Sequence, residues 1–220
     1  FPAKRMDVSM AYDKNNKIIV LFGGTSNTGL MGDTWIYNTS ANAWTNMSPS
    51  SSPSARAMHR LVFDQNIGQI VMFGGKTVSG PTNEMWRYNF SSNSWHLLNQ
   101  SFKPVPRVSV GMAFDSENNK LLMFGGGSDP NYEWNFLLND TWNYDYLLNQ
   151  WSQQNTTTTL PARKSFGFAY DTSNDLAVLF GGEGIGSGTY LNDTYVYDNT
   201  YFNSNGYAII TYDAISQVRF

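Results

Sequence analysis

The chain has no cysteine, which excludes disulfides, thiolate metal sites and a cysteine nucleophile. Only two histidines, His59 and His96, occur in 220 residues, so a metal site of several imidazoles cannot be assembled from them. Charged residues are scarce at 14%, and a net charge of −3 leaves no basic surface that would attract nucleic acid. No apolar run reaches the roughly 18 residues that a membrane-crossing helix needs. No stretch sustains helical periodicity, so no helix is assigned. The Gly pairs follow apolar runs but open no helix, which removes a phosphate-cradling loop. Carboxylates are frequent in turns, yet no two are placed so that sequence marks them as acid and base. No catalytic residue, metal or cofactor is therefore expected.

Asparagine is plentiful at 24 positions, and Ser plus Thr supply 39, so the chain is polar while weakly charged. That balance, unusual for a cytosolic enzyme, favours an extracellular or cell-surface protein; the lack of Cys alone fits the cytoplasm equally well. Aromatics reach 15%, which favours strands. The opening at Phe1, without Met, leaves a removed leader or a piece of a longer chain as alternatives.

Self-similarity organises the rest. The run K-I-I-V-L-F-G-G followed by G-D-T-W-I-Y returns three times. The Gly pairs Gly23-Gly24, Gly74-Gly75, Gly125-Gly126 and Gly181-Gly182 are separated by 51, 51 and 56 residues. Each copy begins with Pro and then Arg, at Arg5, Arg56, Arg107 and Arg163. An aromatic-Asp pair follows seven residues later, as Tyr12-Asp13, Phe63-Asp64, Phe114-Asp115 and Tyr170-Asp171. A polar turn, an apolar strand buried on both faces, the Gly pair and an alternating strand opened by Trp35, Trp86, Trp142 or Tyr195 come next. A fourth strand carries Trp44, Trp95 or Trp151. Four strands in about 50 residues, repeated, make the blades of an all-β propeller.

These motifs, in register four times over residues 2–200, resemble kelch repeats, and the resemblance extends to the galactose-oxidase-like kelch superfamily. The Tyr-Cys copper cofactor of those enzymes cannot form without Cys. Blades are expected at about 2–52, 53–103, 104–160 and 161–205, with 206–220 as a partial fifth repeat or a closing strand. The fourth copy departs from the pattern: Ser204 stands where Trp is expected, and no clear fourth strand follows. An open arc would leave two apolar faces wet, so the segment reads as part of a larger ring. A small ring closed by the tail and an arc capped by a partner are the alternatives.

Strand parity gathers the long loops on one end: 25–32, 76–83, 127–139 and 183–191, with 45–55, 96–106 and 152–162. Rigid blades carrying variable loops are a usual place for binding. Loop 127–139 is the longest of its kind in the first three copies, and its Tyr132, Trp134 and Phe136 alternate around Glu133. It reads as an aromatic platform for a sugar or a peptide, or as a hairpin packing its own rings. Arg60, alone at its register, reads as a channel contact to a ligand or as a solvated side chain. The repeat arginines Arg5, Arg56, Arg107 and Arg163 recur in step with Asp33, Glu84, Asp140 and Asp193. They read as structural ion pairs, with an anion-binding ring as the alternative. For His59 a structural hydrogen bond is expected, and for His96 an exposed position.

Seven N-x-S/T sequons occur, against about four from composition. Asn46, Asn99 and Asn155, beside the interblade loops, are the glycosylation candidates; Asn139 and Asn192 belong to the N-D-T turn. The function expected is an extracellular, non-catalytic module binding a protein or glycan. The alternatives are a surface or assembly glycoprotein completed by another copy or chain, or by remaining blades of a longer one, and the scaffold of an enzyme whose catalytic residues lie elsewhere. Neither nucleic acid nor a membrane span belongs to any of these readings.

Overall fold

The computed structural model describes residues 1–129, 136–156, 158–186, 188–202 and 208–214. Among them there is no helix. The strands form four four-stranded antiparallel sheets and two two-stranded ones. The first sheet runs β1 (Ser9–Asp13), β2 (Ile18–Phe22), β5 (Thr34–Asn38) and β6 (Ala43–Asn46), with β3 (Thr25–Ser26) and β4 (Gly29–Leu30) as a small hairpin. The second runs β7 (Arg60–Asp64), β8 (Gln69–Phe73), β11 (Met85–Asn89) and β12 (Ser94–Leu98), with β9 (Lys76–Thr77) and β10 (Gly80–Pro81) as its hairpin. The third is β13 (Gly111–Asp115), β14 (Lys120–Gly127), β15 (Leu137–Asp145) and β16 (Gln150–Gln154). The fourth is β17 (Gly167–Asp171), β18 (Leu176–Glu183), β19 (Tyr190–Phe202) and β20 (Ala208–Ala214). Each sheet is an up-and-down meander, the form of a propeller blade.

The repeated residues build these meanders through local hydrogen bonds. The Asp of each aromatic-Asp pair folds the turn after the first strand. Asp13 Oδ1 accepts from the Asn15 and Asn16 amides, both at 3.0 Å, and Asp115 and Asp171 accept in the same way. The third-strand Tyr ties the next turn: Tyr37, Tyr88 and Tyr144 donate to Asn42, Asn93 and Asn149 at 2.6–2.8 Å. Those three asparagines have φ near +50°, a conformation Asn tolerates better than most residues.

The chain divides into two compact units. Unit 1 holds residues 1–101 and 105–108, hence the first two sheets; unit 2 holds 102–104 and 109–220, hence the last two. In unit 1 the core lies between the sheets. Ala11, Ile18, Val20, Phe22 and Ile36 of the first sheet meet Leu61, Ile70, Met72, Tyr88 and Trp95 of the second. Two polar groups buried in that layer are paired: Trp95 Nε1 donates to Thr34 Oγ1 at 2.9 Å, and the Leu61 amide donates to Ser9 Oγ at 2.9 Å. In unit 2, Leu122 and Phe124 of the third sheet pack on Phe166 and on Ala177, Leu179 and Tyr197 of the fourth.

Two expectations need amendment. Residues 208–214, left between a partial fifth repeat and a closing strand, are the fourth strand of the fourth sheet, and Tyr212-Asp213 pair with Tyr197 and Val196. The strand before it, β19, extends for 13 residues, against 5 in β5 and β11, and Ser204, where Trp was expected, lies outside the described residues. The second strand is buried on both faces in β2, β8 and β14, but not in β18, where Phe180 is 56% exposed.

Candidate functional site

In the first, second and fourth sheets the end where the second strand stops is built around an arginine. Arg5 donates through Nε to the Ala3 carbonyl, through Nη1 to the Gly23 carbonyl, and through both Nη atoms to Asp33 at 2.6 and 2.8 Å. Arg163 repeats the set with Pro161, Gly181 and Asp193. Arg56 makes the matching carbonyl contacts to Ser54 and Gly74 and donates to Glu84 through Nη2. The indoles of Trp35 and Trp86 donate to the same carboxylates at 2.6 and 3.0 Å, which explains the D-x-W and E-x-W spacing. In unit 1 Arg107 is fully buried and donates to the Val105 carbonyl; in unit 2 Asp140 accepts from Trp142 at 2.7 Å.

The geometry ties the segment before the first strand to the Gly pair and to the start of the third strand. Burial opposes ionisation of Asp33, but hydrogen bonds from Arg5 and Trp35 and the Arg5 charge outweigh it and hold the carboxyl below its ordinary range. Asp193 is lowered first by its hydrogen bond from Arg163. The Arg56 and Arg163 side chains are fully buried, with donors committed inside the sheet. That geometry suits a clamp and gives no support to an anion-binding ring.

His59 differs from expectation. Its ring lies edge-on to Phe22 at 5.5 Å, and neither nitrogen makes a well-formed hydrogen bond, so it serves as packing. Burial first, and the Arg56 charge second, push its pKa down to about 3; the nearby Phe22 backbone offsets this in part. In the unfolded chain the ordinary value is about 6.5. Between those values the unfolded state binds a proton that the folded state refuses, so stability falls as pH drops. The loss is on the order of 2 kcal/mol by pH 5. Asp33 and Asp193, held below the usual carboxylate range, lose their contribution only at more acid pH. Denaturant titrations of unit 1 from pH 7 to 5 should show this slope, and His59→Leu should flatten it. An equal slope in that variant would place the proton elsewhere. His96 is exposed on β12, within 3.0 Å of Ser94 Oγ.

Tyr132, Glu133 and Trp134 lie outside the described residues. Phe136 is exposed at the entry to β15, where its carbonyl accepts from the Ser128 amide at 2.9 Å. The equivalent loop of the fourth sheet carries exposed Ile185 and Tyr190, and is closed by the Gly184 amide bonded to the Thr189 carbonyl at 2.9 Å. Sequence reading singled out Phe136 but passed over Ile185 and Tyr190, because the G-I-G-S-G-T-Y stretch looks like plain turn text. Both loops follow second strands of unit 2, so they emerge at the same end of their sheets. In unit 1, Arg60 opens β7 opposite Phe73 and is half-buried, with burial lowering its pKa. Asn46, Asn99 and Asn155 are exposed, and Asn46 Oδ1 accepts from the amide and hydroxyl of Ser48 at 3.1 Å. Asn139 instead donates its side-chain amide to the Leu160 carbonyl at 3.2 Å.

Known proteins resemble this chain over part of their length. It is 34% identical over 117 residues to the human multiple epidermal growth factor-like domains protein 8, covering 51% of this chain and 4% of that protein. It is 28% identical over 145 residues to the tRNA wybutosine-synthesizing protein 4 of Emericella nidulans, covering 61% of this chain and 13% of that one. It is 26% identical over 154 residues to the Rho GTPase-activating protein gacHH of Dictyostelium discoideum, covering 69% and 10%. The chain thus spans a small fraction of these relatives. The Attractin/LZTR1 beta-propeller profile matches residues 1–202, from the first repeat into the last strand pair. Four repeated meanders and that match together make the chain a member of the Attractin/LZTR1 beta-propeller family.

Proposed function

We propose that the chain is a non-catalytic, kelch-type interaction module that binds a protein partner through the loops joining second and third strands. The observation that carries this is the exposure of Phe136, Ile185 and Tyr190 on two such loops of unit 2, whose sheets pack on one another through Leu122, Phe124, Phe166 and Leu179. Large rings held in water on a rigid frame cost solvation that a partner surface can recover. The matched relatives support the same reading. Their names point to unlike activities, tRNA wybutosine synthesis and Rho GTPase activation, so the part they share with this chain is a scaffold, not one chemistry. Arg5, Arg56 and Arg163 add to it, since their pairs are clamps within sheets.

A peptide and glycan array probed with the wild-type chain and with a Phe136→Ala, Tyr190→Ala double variant tests this. The expected result is a peptide signal weakened at least about tenfold in the variant, at unchanged melting temperature, as for loss of a buried aromatic anchor. A signal of equal strength in both would sink the proposal, and a glycan-only signal would move it to the sugar alternative. Display outside the cell belongs to the same proposal and rests on the exposed sequons Asn46, Asn99 and Asn155. Unchanged mass after enzymatic deglycosylation of the natural protein would remove that part.

A further inference from the structure

We propose that the turn between the third and fourth strands of the third sheet is a second docking point, at the end of unit 2 away from the loops already described, and that it takes a basic amphipathic segment of a partner protein. The turn spans residues 145–150, and Leu147 and Leu148 at its tip are 84% and 64% exposed. The first two sheets build the same turn from other residues. Tyr37, Tyr88 and Tyr144 enter it, and Asn42, Asn93 and Asn149, all at positive φ, leave it. The residue after each Tyr accepts from a turn amide through its side chain: Asn38 from Ala41 at 3.0 Å, Asn89 from Ser92 at 3.2 Å and Asp145 from Leu148 at 3.1 Å. The Asn93 amide donates to the Phe90 carbonyl, and the Asn149 amide to the Tyr146 carbonyl, both at 3.1 Å.

Leu147-Leu148 therefore stand in the places of Ser40-Ala41 and Ser91-Ser92, and all six residues are exposed. Exposure belongs to the turn itself, since it recurs in sheets of both units. The leucine side chains add nothing to closing the turn, which the other two copies close with Ser and Ala. A lone apolar residue in water is ordinary. Two adjacent ones, where the same turn elsewhere carries small residues, cost solvation with no return inside the fold. Beneath them Tyr146 is half-buried, its ring edge-on to Tyr144 at 6.3 Å, so the pair stands on a fixed base. A knob held this way loses little freedom on docking.

The charge around it selects the partner. Asp115 stands opposite Lys120, and Leu121 opposite Tyr144, so turn 115–120 lies at the same end of the third sheet as the leucines. The Tyr170 hydroxyl donates to Asp115 Oδ1 at 2.9 Å, which sets turn 171–176 of the fourth sheet beside it. Among the described residues that end carries Glu117, Asp145, Asp171, Asp175 and Asp198, the last opposite Leu176, against Lys120. The other described bases of unit 2, Lys103, Arg163 and Lys164, precede the first strands, at the other end. Acidic peptides and anionic lipid are repelled by such a field. A protein segment with one apolar side for the leucines, and Lys or Arg beside it, meets both features.

A helix-forming Leu/Lys peptide with one apolar face is the probe. Fluorescence anisotropy should show it binding the 220-residue chain, at least about tenfold more weakly in the Leu147→Ser, Leu148→Ser variant. That variant copies the turn of the second sheet, so its melting temperature should match the wild type. Leu147→Ser with Leu148→Ala, which copies the turn of the first sheet, takes its place should it unfold. Glu117→Gln with Asp175→Asn should weaken binding about threefold. Salt near 1 M, where the screening length is about 3 Å, should weaken it further. The Phe136→Ala, Tyr190→Ala protein should bind the peptide as the wild type does, which separates this site from the loops at the opposite end; a loss there overturns the proposal. So does a wild type that binds no peptide, equal binding by the serine variant, or equal binding of a Leu/Glu peptide. Sedimentation of the wild type with phosphatidylcholine vesicles, in place of peptide binding, gives the leucines to a lipid surface and overturns it too.

Discussion

Arg163→Ala is expected to destabilise unit 2 by about 3 kcal/mol, the lower part of the range for removing one member of a buried ion pair. The guanidinium is fully buried, whereas Asp193 keeps 30% of its side-chain surface in water, which screens the pair and argues against the upper part. Loss of the arginine strands more than one partner. The Gly181 and Pro161 carbonyls lose their donors at 3.0 and 3.2 Å, and the Tyr195 ring loses a cation 5.3 Å from its centroid. Arg163→Lys should recover less than half of the loss, because one ammonium cannot span two carboxylate oxygens and two carbonyls. The pH dependence should change too. Asp193 is now held below its ordinary value, so it contributes stability that is lost as pH falls through the carboxylate range. In the alanine variant that acid slope should shrink. Urea titrations at pH 7 and pH 3 on all three proteins measure both effects. A loss below about 1 kcal/mol would class the pair with ordinary surface salt bridges.

That clamp also shows what the sequence could carry. Arginine and acid recur in step, so their partnership is legible as co-occurrence, and the three pairs described within a sheet have that geometry. The carbonyls that complete each clamp are backbone atoms, which no residue pattern announces. The same holds for the Tyr–Asn ties across the third turns: Asn42, Asn93 and Asn149 are spaced five residues after a Tyr, yet the chain has so many asparagines that this spacing carries little signal. His59 was misjudged for a related reason. A polar ring near an arginine suggests a hydrogen bond, but the ring is buried edge-on against Phe22 with both nitrogens unpaired. The fourth sheet was the least legible. Its outer strand lacks the Trp that marks β6, β12 and β16, and β19 runs on for 13 residues, past the point where the other repeats stop by count. Of the proposed binding surface, Phe136 was visible as part of an aromatic cluster, while Ile185 and Tyr190 matter only because the fold leaves them uncovered.

Gly75→Ala should cost at least about 3 kcal/mol, from two sources that add. Its φ of +97° lies where an L side chain is strained, and a Cβ there would stand 2.8 Å from the Ala57 carbonyl oxygen and from the His59 Cβ. Neither neighbour can yield easily, because the Ala57 carbonyl accepts from the Lys76 amide at 2.7 Å and His59 is buried against Phe22. Any retreat would also stretch the Gly75 amide away from the Arg107 carbonyl at 3.0 Å. Gly29→Ala separates the two causes. Its φ of +123° is equally unfavourable, but nothing lies within 4 Å of the added carbon, so only strain of about 1–2 kcal/mol applies. The second Gly of the pair is therefore a requirement of close backbone approach to the segment that leads into the first strand of its own sheet, not of turning alone. Guanidinium unfolding of both variants decides between these causes. Equal losses would mean that backbone conformation accounts for the whole effect, and that the close contact behind Gly75 can relax without cost.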